Sequence, residues 1–254
     1  MTRISALVVS AALLAGACGS GTPDDVALDP VPEVPGTQVP TDDPPTDLAM
    51  VEPPLALLGA TALSARPGET FAIDHLIENL TGSTRTVAAT ARNPTEGLVV
   101  DSAPSSLRLE PGGVAVLTTT ISVPEEFEND ADFEVVVVFA DDVTARAALT
   151  VSVGVADTTG ERPGLGDDRA VTTTNERVIS YVVGNDTDPD GDLDLATLRI
   201  VAGAGRAADA VASPDGTITY EPFANRTGTD VVLYELCDTT GLCDTAALTV
   251  IVEG

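Results

Sequence analysis

The sequence contains no tryptophan and only three tyrosines, and aromatic residues make up 3% of it. Stacking platforms for bases or sugars are therefore scarce, and Tyr181, Tyr220 and Tyr234 all fall in β-patterned runs where packing is the expected role. Lysine is absent too: all 12 basic residues are arginine, against 40 acids, for a formal net charge of -28. So acidic a chain lacks the surface that neutralises phosphates, which excludes non-specific nucleic-acid binding and disfavours docking on anionic lipid headgroups. Histidine occurs once, as His75. One imidazole cannot build a zinc or copper constellation, and no Ser-His-Asp arrangement, phosphate loop or acid-pair pocket motif accompanies it, so the chain is expected to be non-catalytic.

What is present is a hydrophobic fraction of 43%, enough for real cores, and an acidic complement of 25 Asp and 15 Glu. Asp is the residue of turns and calcium loops, so the bias is consistent with cation contact. Codon bias or salt adaptation would give the same composition.

The chain begins "MTRISALVVSAALLAGAC", with one early Arg, an apolar run from Ala6 to Ala15 and small residues up to Cys18. The run is too short for a membrane span and suits a secretory signal over residues 1–17. Three cysteines are an odd number for an exported chain; if Cys18 is consumed, Cys237 and Cys243 remain as a pair. The segment "LLAGAC" resembles the lipobox of bacterial lipoprotein signals, with Ala15 where Leu is usual. The resemblance implies diacylglycerol on the Cys18 thiol and a membrane anchor facing the extracytoplasmic side of a bacterial envelope. An ordinary secretory signal is the alternative.

Residues 18–54 hold nine of the 18 prolines and no aromatic or basic residue. Such a stretch cannot bury enough apolar surface to fold and reads as a disordered Pro/Asp-rich tether, reaching up to about 110 Å at roughly 3.1 Å per residue. Over 55–155 the pattern changes to short β-rich runs with Gly and Pro punctuation, as in "TFAIDHLIENLTG" and "SSLRLEPGGVAVLTTTISVP", which predicts a β-sandwich. This stretch is similar to bacterial immunoglobulin-like domains. A short linker is expected over 156–166.

For 167–254 seven strands are expected, roughly 169–174, 177–183, 196–202, 208–212, 217–221, 230–237 and 243–251. The blocks "NDTDPDGDLDLATLRIV", "PDGTITYEPF" and "GTDVVLYELCDTTGLCDTAALTVIV" resemble the bacterial cadherin-like tandem repeat, an immunoglobulin-type sandwich of surface adhesins. The fold class is thus all-β: two immunoglobulin-like sandwiches in tandem after the tether. Alternating strands place loops 184–195, 213–216 and 238–242 at one end with Asp167, facing the first sandwich and gathering Asp215 and Asp238 there as well.

The loop "GNDTDPDGDLD" spaces Asp186, Asp188 and Asp190 like the first half of a helix-loop-helix calcium site, with Gly191 for the turn. The twelfth position is Thr197 rather than Glu and the flanks are strands, so this is no EF-hand. Two readings stay open, a solvated turn and a calcium site; the family resemblance implies the second, with Asp167, Asp168, Asp186, Asp188, Asp190 and Asp192 as ligands. Cys237 and Cys243 flank "DTTGL", a hairpin loop, which favours a structural disulfide over a redox pair. The functional expectation is a lipid-anchored envelope protein serving adhesion or spacing, with a cell-surface protein or polysaccharide as partner. A glycan- or peptidoglycan-binding module is the alternative, and an envelope hydrolase the remotest.

Overall fold

The computed structural model describes residues 53–92, 98–103, 106–156, 159–203, 205 and 207–254, all within one compact unit, Ala49–Gly254. The expected signal segment, Cys18 and all of the tether except its last two prolines lie outside the described residues. Among the described residues every regular element is a strand.

The first nine are β1 (Leu55–Gly59), β2 (Ala62–Ala65), β3 (Thr70–Asn79), β4 (Arg85–Arg92), β5 (Val99–Ala103), β6 (Ser106–Leu109), β7 (Val114–Ser122), β8 (Ala131–Phe139) and β9 (Asp142–Val155). They form two sheets, in the orders β1-β3-β7-β5 and β2-β9-β8-β4-β6. Side chains alternate across a strand, so Ile73, Ile77, Leu117 and Ile121 of one sheet meet Phe133, Val135, Val137, Val151 and Val153 of the other in a single core. Asn79 ends β3 and donates from its buried side-chain amide to the carbonyls of Ser83, Leu109 and Glu110, fastening the turn that follows.

The remaining strands are β10 (Asp168–Thr173), β11 (Val178–Tyr181), β12 (Leu193–Gly203), β13 (Ala207–Ser213), β14 (Thr217–Pro222), β15 (Gly228–Asp238) and β16 (Cys243–Glu253). All seven lie within a few residues of their expected positions. They form sheets β10-β16-β15-β12 and β11-β14-β13, with β10 parallel to β16 and the other pairs antiparallel. Val182, Ile218 and Tyr220 pack against Val232, Tyr234, Leu236, Leu248 and Val250 to make the second core. The chain is all-β, two immunoglobulin-like sandwiches in tandem.

After its first two residues β15 is buried at every position. A strand that alternates is covered on one face; one buried throughout is covered on both. The second cover is the first sandwich: Val231 and Leu233 of β15, Ala202 of β12 and Ala247 of β16 pack with Leu76 of β3, joined by Val114 and Val116 of β7. Beside this apolar seam the Asp74 amide donates to Thr245 Oγ1 at 2.8 Å, and Thr118 Oγ1 donates to Asp74 Oδ1 at 2.7 Å. The two inner sheets therefore lie back to back, and the four sheets stack in layers. The sandwiches are joined by a packed face as well as by the segment between them.

Candidate metal centre and the junction

The acidic loop connects β11 to β12, and contacts between turns bring it to one end of the second sandwich. The Val182 amide donates to the Gly216 carbonyl at 3.0 Å, and the Thr239 amide donates to the Asp192 carbonyl at 3.0 Å, so loops 184–195, 213–216 and 238–242 meet there. Within the loop the Asp188 carboxylate accepts from the amides of Asp190 (3.2 Å) and Asp192 (2.6 Å), and Gly191 takes a φ of 74°, which a side chain would resist. Carboxylate oxygens of Asp188, Asp190 and Asp192 lie within 4.8 Å of one another. Asp190 Oδ2 also accepts from the Glu161 amide at 2.6 Å, and Asp192 Oδ2 accepts from the Thr239 hydroxyl. Asp192 Oδ1 is buried with no hydrogen-bond partner among the described residues.

The other three expected ligands each hold one hydrogen bond outside this cluster, and Asp186 Oδ2, like Asp192 Oδ1, is buried with no hydrogen-bond partner among the described residues. Asp167 Oδ1 accepts from the Ala247 amide at 2.9 Å, Asp168 Oδ2 from the Tyr234 hydroxyl at 2.9 Å, and Asp186 Oδ1 from the Gly166 amide at 2.9 Å. Among the described residues these three form no coordinating group with Asp188, Asp190 and Asp192. They belong instead to an acidic seam along the junction. Burial pushes the Asp74 carboxyl up to about 6, helped by the charges of Asp167 and Asp244; burial, with Asp168 and Asp244 nearby, pushes Asp186 up to about 6. Burial also raises Asp168 and Asp244, and the Tyr234 phenol is raised by burial and by the Asp186 charge. Asp215 is exposed and accepts from the hydroxyl of Thr217. Asp238, almost fully buried, accepts on Oδ1 from the amides of Thr240 and Leu242 and so shapes the hairpin between β15 and β16. Across that hairpin Cys237 and Cys243 are direct partners, disulfide-bonded with a Cα–Cα distance of 3.9 Å.

Sequence reasoning missed Arg162. Its side chain is only 7% exposed, and Nε lies 2.7 Å from Glu69 Oε1 in a pair that is equally buried. Its other nitrogens donate to Glu69 Oε2 (3.1 Å), to the Ser64 carbonyl (2.6 Å) and to the Cys243 carbonyl, while the guanidinium stands 3.9 Å from the centroid of Phe71. One arginine thus binds β2, β3 and the turn before it to the first residue of β16. The planar five-donor fork suits this; a lysine could not meet so many acceptors. Nothing in the local string "GERPGLG" marks it, since its partners lie 81 to 98 residues away. A cleft of about 480 Å³ opens beside it, lined among others by Arg66, Glu69, Phe71, Glu161 and Pro189.

His75 is fully buried in the first core, and neither ring nitrogen has a hydrogen-bond partner among the described residues. It assists no hydroxyl or thiol. Of the tyrosines, Tyr220 and Tyr234 are core residues, but Tyr181 is 60% exposed, contrary to the packing role expected for all three.

With this geometry in view, comparison with known proteins finds a similarity over the second sandwich. Residues 160–251 match the family model described as bacterial Ig domain. No curated protein matches the chain. Among solved structures, the N-terminal Ig1-2 module of the Drosophila receptor protein tyrosine phosphatase DLAR is similar at 10% identity and a TM-score of 0.31, covering 79% of this chain and 100% of that one. The sialic acid binding region of a Streptococcus sanguinis adhesin is similar at 9% identity and a TM-score of 0.31, covering 78% and 77%. A PapD-like domain of human CEP192 covers 52% of this chain and 100% of its own at 14% identity and a TM-score of 0.32.

Proposed function

We propose that this chain is a non-catalytic bacterial envelope lipoprotein, anchored through Cys18, whose two sandwiches act as one body for adhesion or spacing. The observation that carries the reading is the back-to-back packing clamped by Arg162. A body tied by a buried arginine and an apolar seam transmits position from one end to the other, which a spacer needs. The Ig domain match and the disulfide support an extracellular or surface setting. Expression of the full chain in a bacterial host is expected to place it in the membrane fraction, and Cys18→Ser to release it. Equal membrane retention of both, with the signal uncleaved, would refute the anchor.

Calcium is the metal this reading assigns to the acidic loop. Asp188, Asp190 and Asp192 supply hard oxygen donors, and the orphaned Asp192 Oδ1 gives the fit a structural basis. The ion would neutralise three crowded carboxylates and so stabilise the fold. Affinity is expected at roughly 10⁻⁴ to 10⁻³ M, as for extracellular modules. A hundredfold excess over Kd then adds about 2.7 kcal/mol. Thermal unfolding of the full chain in calcium, in magnesium and in chelator checks this, with Asp188→Asn/Asp190→Asn as control. Identical melting in all three would leave the loop a solvated turn.

A further inference from the structure

The outer face of sheet β11-β14-β13 carries an aromatic platform that the reading above does not use. Three cross-strand rows cross this face. Tyr181, Thr217 and Ser213 are partners in one, Ile179, Thr219 and Val211 in the next, and Glu221 and Asp209 are partners in the third. Strands stand about 4.8 Å apart, so a row spans roughly 10 Å, the length of about two sugar rings. Ile179, Tyr181 and Val211 are 64%, 60% and 50% exposed, and no other described element covers them.

The setting of the Tyr181 ring separates it from an ordinary surface tyrosine. A Cβ added at Gly184 would stand 3.2 Å from its Cδ1, and one added at Gly216 would stand 3.1 Å from its Cε2. The ring therefore lies across two stretches of backbone that have no side chains, and Gly216 is further fixed by its φ of 84°. Seating the ring this way holds it in place and leaves the opposite side to solvent. An aromatic face is the negative part of the ring quadrupole, and the partly positive C–H groups of a pyranose are complementary to it.

The charges choose among occupants. Asp209, Asp215 and Glu221 are exposed on or beside the face and outnumber the exposed Arg177 at its edge, in a chain of net charge -28. They repel anionic polymers and also a second copy of this chain. Carboxylates and threonine hydroxyls are, however, good hydrogen-bond partners for sugar hydroxyls. We infer that this face binds a neutral polysaccharide, with Tyr181 as the stacking platform, Ile179 and Val211 as apolar flanks, and Thr217 and Thr219 among the hydroxyl partners. The inference depends on neither the lipid anchor nor calcium.

The test uses the full chain carrying Cys18→Ser and soluble, uncharged hexasaccharides of β-1,4-linked N-acetylglucosamine and of β-linked glucose. Because there is no tryptophan and the two other tyrosines are buried, perturbation of tyrosine emission reports on Tyr181. Binding of at least one hexasaccharide is expected, with saturation transfer to its ring protons, about a tenfold loss of affinity in Tyr181→Ala and retention in Tyr181→Phe. Val143→Ser, exposed on β9 of the first sandwich, should bind as the parent does. The inference fails if neither hexasaccharide binds, or if Tyr181→Ala binds as well as the parent. It fails equally if the parent instead self-associates through this face in light scattering and Tyr181→Ala abolishes the association.

Discussion

Replacing Arg162 with alanine is expected to lower the unfolding free energy by about 3–5 kcal/mol, because it strands the Glu69 carboxylate in a site with 7% exposure. The same change removes the donors to the Ser64 and Cys243 carbonyls and the cation over Phe71. The effect should take a particular form. Arg162 holds the two sandwiches together, so its loss should split one urea transition into two or lower the slope of the first. Arg162→Met combined with Glu69→Leu should recover much of the stability, since an apolar pair of similar volume leaves no uncompensated charge. A loss under about 1 kcal/mol in Arg162→Ala would show that the apolar seam alone holds the junction.

The second large effect is a pair of opposed pH dependences. Burial pulls His75 down to about 4, from an ordinary 6.5. Between those values the unfolded chain takes up a proton that the folded chain refuses. His75 therefore costs nothing above pH 6.5, and stability falls as pH drops toward 4, by about 3 kcal/mol in all. Asp74 runs the other way, being raised to about 6 from 3.8. Its buried charge costs about 3 kcal/mol above pH 6, and the cost is relieved as the folded state takes a proton below that. Asp186 acts in the same direction as Asp74. Urea unfolding of the wild type, His75→Leu and Asp74→Asn at about pH 7.5 and about pH 4 separates the two. His75→Leu should gain on the wild type as pH falls. Asp74→Asn, which keeps an acceptor for Thr118, should be the more stable protein at pH 7.5 and lose that advantage at pH 4. Curves parallel to the wild type for both variants would refute both assignments.

Local pattern carried far in this chain. Period-two alternation and Gly or Pro turns located all seven strands of the second sandwich to within a few residues, because strand and turn preferences act over a handful of neighbours. The Cys237–Cys243 hairpin was legible for the same reason, its two sulfurs being six positions apart. The acidic loop was half legible. Asp188, Asp190 and Asp192 converge because one tight turn brings them together. Asp167, Asp168 and Asp186 do not join them, because bonds from Ala247, Tyr234 and Gly166 hold one oxygen of each toward the junction.

What tertiary structure alone decided is the relation between the sandwiches and the state of four residues. The run "VVLYELC" in β15 reads as one strand whichever face is covered, and only the back-to-back sheets show that both are. Arg162 and Glu69 are ordinary surface types until partners up to 98 residues apart enclose the arginine. His75 sits in a strand like any polar residue until the first core closes over it. Tyr181 has the same strand setting as Tyr220 and Tyr234, and differs because β11 turns its side chain outward, over two glycines from different loops. Composition and spacing specify what each segment can form by itself. Burial depends on which surfaces of distant segments meet, and it is burial that set the charges at the junction and left the Tyr181 ring open to solvent.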